Sequence, residues 1–230
     1  MYFEEAKTEL TASRILFENR RDAGRKLALQ LAPYASPSTV VLAIPNGGVP
    51  IGMEIAAAIK ADLDIIVCRK LASPLNPEGG LGAVADDGTA VINEEIIKRD
   101  GLTREQIEFE LESVKQTVRQ RRLKYKGNLP SSRLTGKTAI IVDDGLASGI
   151  TMSVAVESVK HRLAGDVVVA VPVASAAGYR RVAQVTDKIV TCAVANMSRF
   201  FLADFFRTWR DISDEEVVHY LDQWKKRLQF

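Results

Sequence analysis

The residues best suited to chemistry in this 230-residue chain are two adjacent carboxylates, Asp143 and Asp144. They follow four apolar residues, 139–142, whose pattern is typical of a strand buried on both faces. Small residues fill the next stretch, 145–149, and an apolar helical pattern starts at Ile150. Small residues let backbone N–H groups converge on an anion where a helix begins. The stretch therefore predicts an anion site beside two groups that accept hydrogen bonds from hydroxyls, which suits a phosphorylated sugar.

The thirteen residues 139–151, AIIVDDGLASGIT, resemble the phosphoribosyl-diphosphate (PRPP) binding motif of type I phosphoribosyltransferases. That motif has four apolar residues, two acids, two apolar or small residues, and then a loop of Thr, Ser and Gly. Gly145 departs from the motif, because an apolar residue is commoner there. The alternative interpretation is an ordinary Asp-Asp-Gly turn in an α/β protein.

The resemblance implies a role for each part of this stretch. Asp143 and Asp144 would be the catalytic carboxylates, which accept hydrogen bonds from the ribose hydroxyls and stabilise positive charge at the anomeric carbon. The 5-phosphate of PRPP would be held by the loop that follows, which comprises Ala147, Ser148, Gly149, Ile150 and Thr151.

A second strand, glycine loop and helix precede this motif. Residues 39–44 form the strand pattern, and a helix is predicted from about Ile51 to Lys60. The loop between them contains Asn46, Gly47 and Gly48, and its glycines give an anion access to the backbone. The resemblance implies that this is the pyrophosphate loop, which often has a cis peptide before its first glycine. Asn46 stands where Arg or Lys is common, so the loop has one charge fewer.

Two cations, Arg69 and Lys70, follow a predicted strand at 62–68. At the carboxyl end of a strand in an open α/β sheet they would face a ligand, and we expect them to contact pyrophosphate. The alternative is a pair of solvated surface charges. Most of the charges at the start of the helix predicted at 17–31, by contrast, are interpreted as a solvated basic face.

The middle of the chain departs from simple alternation of strands and helices. Segments 81–84 and 89–92 flank an Asp-Asp-Gly turn and predict a β-hairpin. Thr103 and Gln106 form a capping box for a long charged helix that ends at Lys126. We interpret 71–130 as a hood and flexible-loop insertion, and 196–230 as a C-terminal extension whose aromatic residues pack in the hood and core.

The remaining elements define the fold class. Strands and helices alternate after the motif, which predicts an α/β protein with a doubly wound, mainly parallel sheet and helices on both faces. The whole chain is interpreted as one domain of the type I phosphoribosyltransferase fold with a hood. Two further segments, FENRRDAGRKLA and NPEGGLGAV, resemble an uncharacterised subfamily of that family.

Composition sets broad limits on function. The formal net charge of +2 gives no general attraction to nucleic acid or membranes. Cys68 and Cys192 lie in apolar runs and are interpreted as reduced core thiols. His161 and His219 fall on predicted helices away from the loops and are expected to be structural. We expect a cytoplasmic protein, a homodimer, that has no membrane segment and no nucleic-acid partner.

The resemblance implies transfer of 5-phosphoribosyl from PRPP to a nitrogenous acceptor with release of pyrophosphate. Mg²⁺ would be the cofactor, held mainly by substrate oxygens and water. Two alternatives remain open: a non-catalytic regulator that senses PRPP or a nucleotide, and a phosphohydrolase that acts on a phosphoribosyl compound.

Overall fold

The computed structural model describes residues 8–12, 14–73, 75–127, 131–186 and 188–227, without the side chains of 76–79. The strands are β1 (Thr8–Leu10), β2 (Thr39–Ala43), β3 (Asp62–Ile65), β4 (Cys68–Ser73), β5 (Asn76–Ala85), β6 (Ala90–Ile92), β7 (Thr138–Val142), β8 (Asp166–Ser175) and β9 (Ile189–Ala195). The α-helices are α1 (Arg20–Gln30), α2 (Gly48–Ile59), α3 (Glu94–Asp100), α4 (Arg104–Lys126), α5 (Ile150–His161), α6 (Ala176–Val182) and α7 (Asp214–Arg227).

Six strands form one parallel sheet in the order β1-β9-β8-β7-β2-β3. Alternate residues of its central strands face opposite sides. Val41 and Ile140 pack with α1 and α2, while Leu42 and Ile141 pack with α5 and α6. Each side of the sheet is therefore covered by helices, which confirms the doubly wound α/β prediction.

The edge strand β1 was not expected, because the sequence around it carries no clear strand pattern. Its three residues pair in parallel with β9, and Thr8 lies opposite Ala193. This pairing adds a sixth strand beside the five that the alternating pattern predicts. A short strand of this kind is specified by its neighbour more than by its own residues.

Strand β3 ends at Ile65, three residues earlier than predicted. The chain then leaves the main sheet and enters β4, which pairs with β5 in a separate three-stranded antiparallel sheet. The predicted hairpin is confirmed as β5–β6, where Ala83 lies opposite Val91. A continuous apolar run concealed the break between β3 and β4, because both segments are buried.

Capping residues that are close in sequence mark where the two long helices α4 and α7 begin. The Thr103 hydroxyl accepts from the Gln106 N–H, and the Gln106 side chain accepts from the Thr103 N–H, which confirms the capping box of α4. Ser213 and Glu216 form the equivalent pair at α7. The predicted helix at 103–126 is thus confirmed as α4, and the sequence analysis did not identify the shorter α3 that precedes it.

The C-terminal aromatic residues pack as expected. Phe205 and Phe206 are buried, and Phe206 stacks on Phe17 and Trp209 with ring centroids 5.2 and 4.9 Å apart. None of the helices in the described ranges is long and apolar enough to cross a bilayer. The two cysteines are unpaired thiols, as predicted.

Candidate functional site

The loops after β2 and β7 meet where the strand order reverses. Strand β2 has β3 on one side and β7, which comes much later in the chain, on the other. The Ile44 N–H donates to the Val142 carbonyl at 2.8 Å, so the two strand ends are joined directly. Ligands of open α/β sheets bind outside the carboxyl ends of the strands at such a point. The acidic pair and the glycine loop are therefore brought together.

The glycine loop packs tightly against the acidic pair. A Cβ atom on Gly47 would lie 1.8 Å from Asp144 Oδ2, and one on Gly48 would lie 2.6 Å from the Val142 carbonyl oxygen. Neither position has room for a side chain. The loop contains a cis peptide between Pro45 and Asn46, which precedes the first glycine as the resemblance implies.

The N–H groups of the glycine loop are not equivalent. The Gly48 N–H donates to the Ile44 carbonyl at 3.1 Å, and the Val49 N–H donates to the Asn46 carbonyl at 3.2 Å. For the Gly47 N–H, the described part of the chain records no acceptor. Gly47 thus offers the backbone donor that an anion in this loop would meet.

Asp144 is held by a buried arginine from the start of α1. Arg20 donates to Asp144 Oδ2 from Nε at 2.9 Å and contacts the same oxygen from Nη2 at 2.8 Å. Its third nitrogen donates to the Arg210 carbonyl, and its guanidinium carbon lies 3.8 Å from the centre of the Trp209 ring. The prediction that the charges of this helix form a solvated face is wrong for Arg20, which is only 9% exposed.

Asp143 lies in a different environment from its neighbour. Its Oδ1 accepts from the Asp144 N–H at 2.8 Å. Burial raises the pKa of Asp143 well above its ordinary value, the charge on Asp144 raises it further, and the Arg20 charge offsets this only in part. The two adjacent carboxylates therefore differ: Asp144 is ion-paired with Arg20, whereas burial disfavours the charged form of Asp143.

The loop after the acidic pair opens α5 with unused donors. The first bond of the helix runs from the Ser153 N–H to the Gly149 carbonyl at 2.8 Å. The N–H groups of residues 147–151 have no recorded acceptor in the ranges that the structure describes, as expected for the first turn of a helix. Gly149 has φ = 78°, a left-handed conformation that suits glycine.

Hydrogen bonds to the C-terminal end of β8 hold this loop in place. The Leu146 N–H donates to the Val173 carbonyl at 2.9 Å, and the Ser175 hydroxyl donates to the Ala147 carbonyl at 2.5 Å. Gly145, the departure from the motif, has a packing reason, because a Cβ there would lie 1.9 Å from a methyl carbon of Leu202. The apolar contact is thus supplied by the C-terminal segment.

The Asn46 side chain is occupied at both ends. Its nitrogen donates to the Ile212 carbonyl at 2.7 Å and lies 3.2 Å from Asp214 Oδ1. Its oxygen lies 3.0 Å from the Arg121 guanidinium and 2.9 Å from the Tyr125 hydroxyl. The glycine loop is therefore tied to α4 and α7, which no local sequence signal indicated.

Arg69 and Lys70 lie elsewhere than predicted. Both are exposed within β4 of the smaller sheet, opposite Val84 and Ala83, and not at the carboxyl end of β3. The expectation that they end a strand of the main sheet is wrong, because that strand stops at Ile65. Their position beside the glycine loop is no longer supported by the topology.

The side chains of the site could assist a metal ion only weakly. The described residues contain no group of three or more potential ligands from His, Cys, Asp and Glu. Asp144 Oδ2 is engaged by Arg20, whereas no ion pair of Asp143 is recorded among the residues that the structure describes. Mg²⁺ tolerates this, since it commonly retains water and takes one or two carboxylates plus substrate phosphates.

Comparison with known proteins agrees with this geometry. A family model described as phosphoribosyl transferase domain matches residues 11–201. Two proteins from two strains of Mycobacterium tuberculosis, each named as a phosphoribosyl transferase, are 35% identical over 208 residues. That match covers 90% of this chain but 47% of theirs, so the chain spans about half the length of these curated relatives.

A solved structure is also similar over almost its entire length. The crystal structure of TT1426 from Thermus thermophilus is 31% identical, with a TM-score of 0.77. The match covers 90% of this chain and 98% of that one. The family model alone covers well over half of the sequence, and it includes both the glycine loop and the acidic pair. The chain belongs to the phosphoribosyl transferase domain family.

Proposed function

We propose that this protein is a phosphoribosyltransferase that uses PRPP and Mg²⁺ to transfer the 5-phosphoribosyl group to a nitrogenous, base-like acceptor. The observation that carries the proposal is the meeting of Asp143 and Asp144 with two anion-accessible loops at one switch point of the sheet. PRPP has a phosphate at one end and a pyrophosphate at the other, with ribose hydroxyls between. The site offers N–H donors, carboxylate acceptors and a glycine loop in that arrangement.

In the proposed complex, the 5-phosphate is held by the N–H groups of residues 147–151 and the hydroxyls of Ser148 and Thr151. The α5 dipole adds to this attraction. Asp143 and Asp144 accept hydrogen bonds from the ribose hydroxyls. Because Arg20 holds Asp144 through two nitrogen atoms, the orientation of that carboxylate is fixed before the substrate arrives.

The bond from the anomeric carbon to pyrophosphate breaks as the bond to the acceptor nitrogen forms, and positive charge develops on the ring. Fixed carboxylates beneath the ring stabilise that charge more in the transition state than in the bound substrate, which lowers the barrier. Mg²⁺, held mainly by substrate oxygens and water, would neutralise the leaving pyrophosphate, and Asp143 would be the carboxylate available to assist it.

The pyrophosphate is met by the Gly47 N–H. The cation near this loop is Arg121, which lies 3.0 Å from the Asn46 oxygen and is ion-paired with Asp214 at 2.8 Å. We take 71–130, which carries α4, as the hood and loop insertion that covers this side of the site, and 196–230 as the extension that completes it. Arg69 and Lys70 are left with a role only at the periphery.

The test is pyrophosphate release from PRPP and Mg²⁺ across a panel of purine, pyrimidine and pyridine acceptors. Release that depends on one class of acceptor is the expected result. The matched control is Arg104→Ala, which removes an exposed charge at the start of α4, against Gly47→Ala, which disturbs the site itself. Absence of PRPP binding by calorimetry would refute the proposal.

A second candidate is a non-catalytic sensor of PRPP or a nucleotide. One observation favours it: the glycine loop has no cation of its own, and the Asn46 amide is already bonded to Ile212 and Asp214. Such a protein would bind PRPP tightly but release no pyrophosphate with any acceptor. The same assay therefore separates the two candidates.

A further inference from the structure

A cavity lies at a distance from the acidic pair, Asp143 and Asp144. It has a volume of about 440 Å³, and the described residues that line it are Asp86, Asp87, Arg119, Arg122, Leu123, Ser131 and Arg162. Arg162 follows the C-terminal end of α5, whereas the phosphate loop opens the N-terminal end of the same helix. Twelve residues of helix separate the two ends by about 18 Å. The cavity is therefore separate from the proposed PRPP site.

Three guanidinium groups converge on this cavity, two from α4 and one from Arg162, the residue that follows α5. Arg122 lies 3.4 Å from Asp86 and donates to the Ser131 hydroxyl at 3.0 Å. Arg162 donates to the Ser132 carbonyl at 2.7 Å. These bonds hold two of the guanidinium groups in place, and a guanidinium has five N–H donors in all. Arg119 is exposed, and its charge interacts with the Glu112 carboxylate on the same helix.

The two carboxylates of the cavity are largely engaged within the protein. Asp86 accepts from the Val67 N–H at 3.4 Å as well as pairing with Arg122. Asp87 accepts from the N–H and hydroxyl of Thr89 and, at 2.8 Å, from the Ser158 hydroxyl. Among the described residues that line the cavity, three guanidinium groups thus face two carboxylates, an excess of one positive charge.

We propose that this cavity is a binding site for a phosphate monoester of nucleotide size. A guanidinium group can donate two parallel hydrogen bonds to two oxygens of one phosphate. Three guanidinium groups and a hydroxyl provide more donors than the two oxygens of a carboxylate ligand accept, which favours a phosphate. The volume is within the range of small-molecule sites and is larger than a phosphate group alone needs. Leu123 provides an apolar wall, and Asp87 provides an acceptor for hydroxyls on the remainder of the ligand.

Helix α4 connects this cavity to the proposed PRPP site. Arg119 and Arg122 line the cavity, while Arg121 and Tyr125 of the same helix bond to Asn46 in the glycine loop. A ligand that binds Arg119 and Arg122 therefore contacts the same helix, α4, that bonds to the glycine loop. Binding at the cavity does not depend on whether the other site is catalytic.

The probe is adenosine 5′-monophosphate, soaked into crystals and titrated by calorimetry. The expected result is density for its phosphate among the three arginines, whether or not a second molecule occupies residues 147–151. The Arg119→Ala, Arg162→Lys variant should bind at the cavity about tenfold more weakly, the scale of one hydrogen bond to a charged group. Arg104→Ala, which removes an exposed charge from the far end of α4, is the control and should bind as the parent does.

A cavity without density in the soaked crystal would overturn the proposal, as would equal affinity of the parent and the double variant. Circular dichroism of each variant checks its fold, and Arg119→Ala alone is the fallback because that side chain is exposed. An occupied cavity supports this proposal whatever the state of residues 147–151, and the proposed transferase is tested separately by PRPP binding and pyrophosphate release.

Discussion

The carboxylate of Asp144 stands where a side chain on Gly47 would be, with only 1.8 Å between its Oδ2 and the position of a Cβ. The glycine loop and the acidic pair therefore fit together only if residue 47 is glycine. This contact joins the two halves of the proposed site, and it can be tested without knowledge of the acceptor.

Gly47→Ala is expected to weaken PRPP binding at least about tenfold and to reduce the free energy of unfolding by about 2 kcal/mol, as overpacking does. Calorimetry and urea unfolding measure the two effects. The control is a double-mutant cycle with Asp144→Ala, which removes the clashing oxygen. If Gly47→Ala costs as much in the Asp144→Ala background as in the parent, the contact is not the cause.

Arg20→Met is expected to destabilise the protein by about 3 kcal/mol, because it leaves Asp144 without its partner in a largely buried setting. The matched control is Arg21→Ala on the same helix, whose side chain is 47% exposed and pairs with Glu54. Exposed pairs contribute about 1 kcal/mol or less. Urea unfolding compares the two variants.

The double variant Arg20→Met, Asp144→Asn tests the reason for that loss. Removing both charges relieves the unpaired carboxylate, so part of the lost stability should return. No recovery relative to Arg20→Met would show that packing against Trp209, and not the ion pair, accounts for the effect. PRPP turnover should remain low in both variants, because the position of residue 144 is no longer fixed.

Those residues also mark the limit of prediction from sequence. The stretch from β7 to α5 was predictable because its signals are local: an apolar strand, two acids, small residues and a helix. Arg20 and Asp144 are far apart in the chain, and nothing in the pattern of either segment specifies their contact. The charges around Arg20 have the helical spacing of a solvated face, and only the fold buries one of them.

Asn46 illustrates the same limit at the glycine loop. The sequence indicated a missing charge, but the partners of the side chain come from α4 and from the start of α7. The break between β3 and β4 was missed for a related reason, since a buried strand and the buried start of the next one form a single apolar run. Arg69 and Lys70 were placed wrongly as a consequence.

Asp214 is expected to make stability depend on acid pH. Burial disfavours its charge, but hydrogen bonds from Arg121, Tyr125 and Lys124 outweigh this and hold the pKa of Asp214 below its ordinary value of 3.8. A depressed folded-state pKa contributes stability that is present above the unfolded value and is lost as pH falls through the folded one. The loss should therefore begin near pH 4 and grow below it.

Asp214→Asn should lower the free energy of unfolding by about 2 kcal/mol at pH 7, the scale of hydrogen bonds to a charged group. It should also lose less further stability than the parent between pH 5 and pH 2. Tyr125→Phe removes one donor alone and should give an intermediate dependence. Identical pH profiles for the parent and Asp214→Asn, measured by urea unfolding, would contradict the assignment.

Asp143→Asn is expected to separate stability from activity. Burial and the charge on Asp144 raise the pKa of Asp143, so its stabilising contribution is present below the ordinary value of 3.8 and is lost as pH rises through the folded-state pKa. Asparagine does not ionise, so it does not lose stability as pH rises. Its side-chain oxygen can still accept the hydrogen bond from the Asp144 N–H. The variant should therefore be more stable than the parent at pH 7, by on the order of 1 kcal/mol, with the difference vanishing near pH 4.

Turnover should change in the opposite direction. If Asp143 stabilises positive charge on the ribose ring, its neutral replacement should reduce pyrophosphate release about 100-fold while PRPP affinity falls much less. Asp144→Asn is a poorer test, because it also leaves Arg20 without its carboxylate. The measurement pairs urea unfolding at pH 4 and pH 7 with kcat and PRPP affinity. A variant that is less stable than the parent at pH 7 would show that burial does not oppose the charge of Asp143. Unchanged turnover would remove this residue from the proposed mechanism and leave Asp144 as its carboxylate.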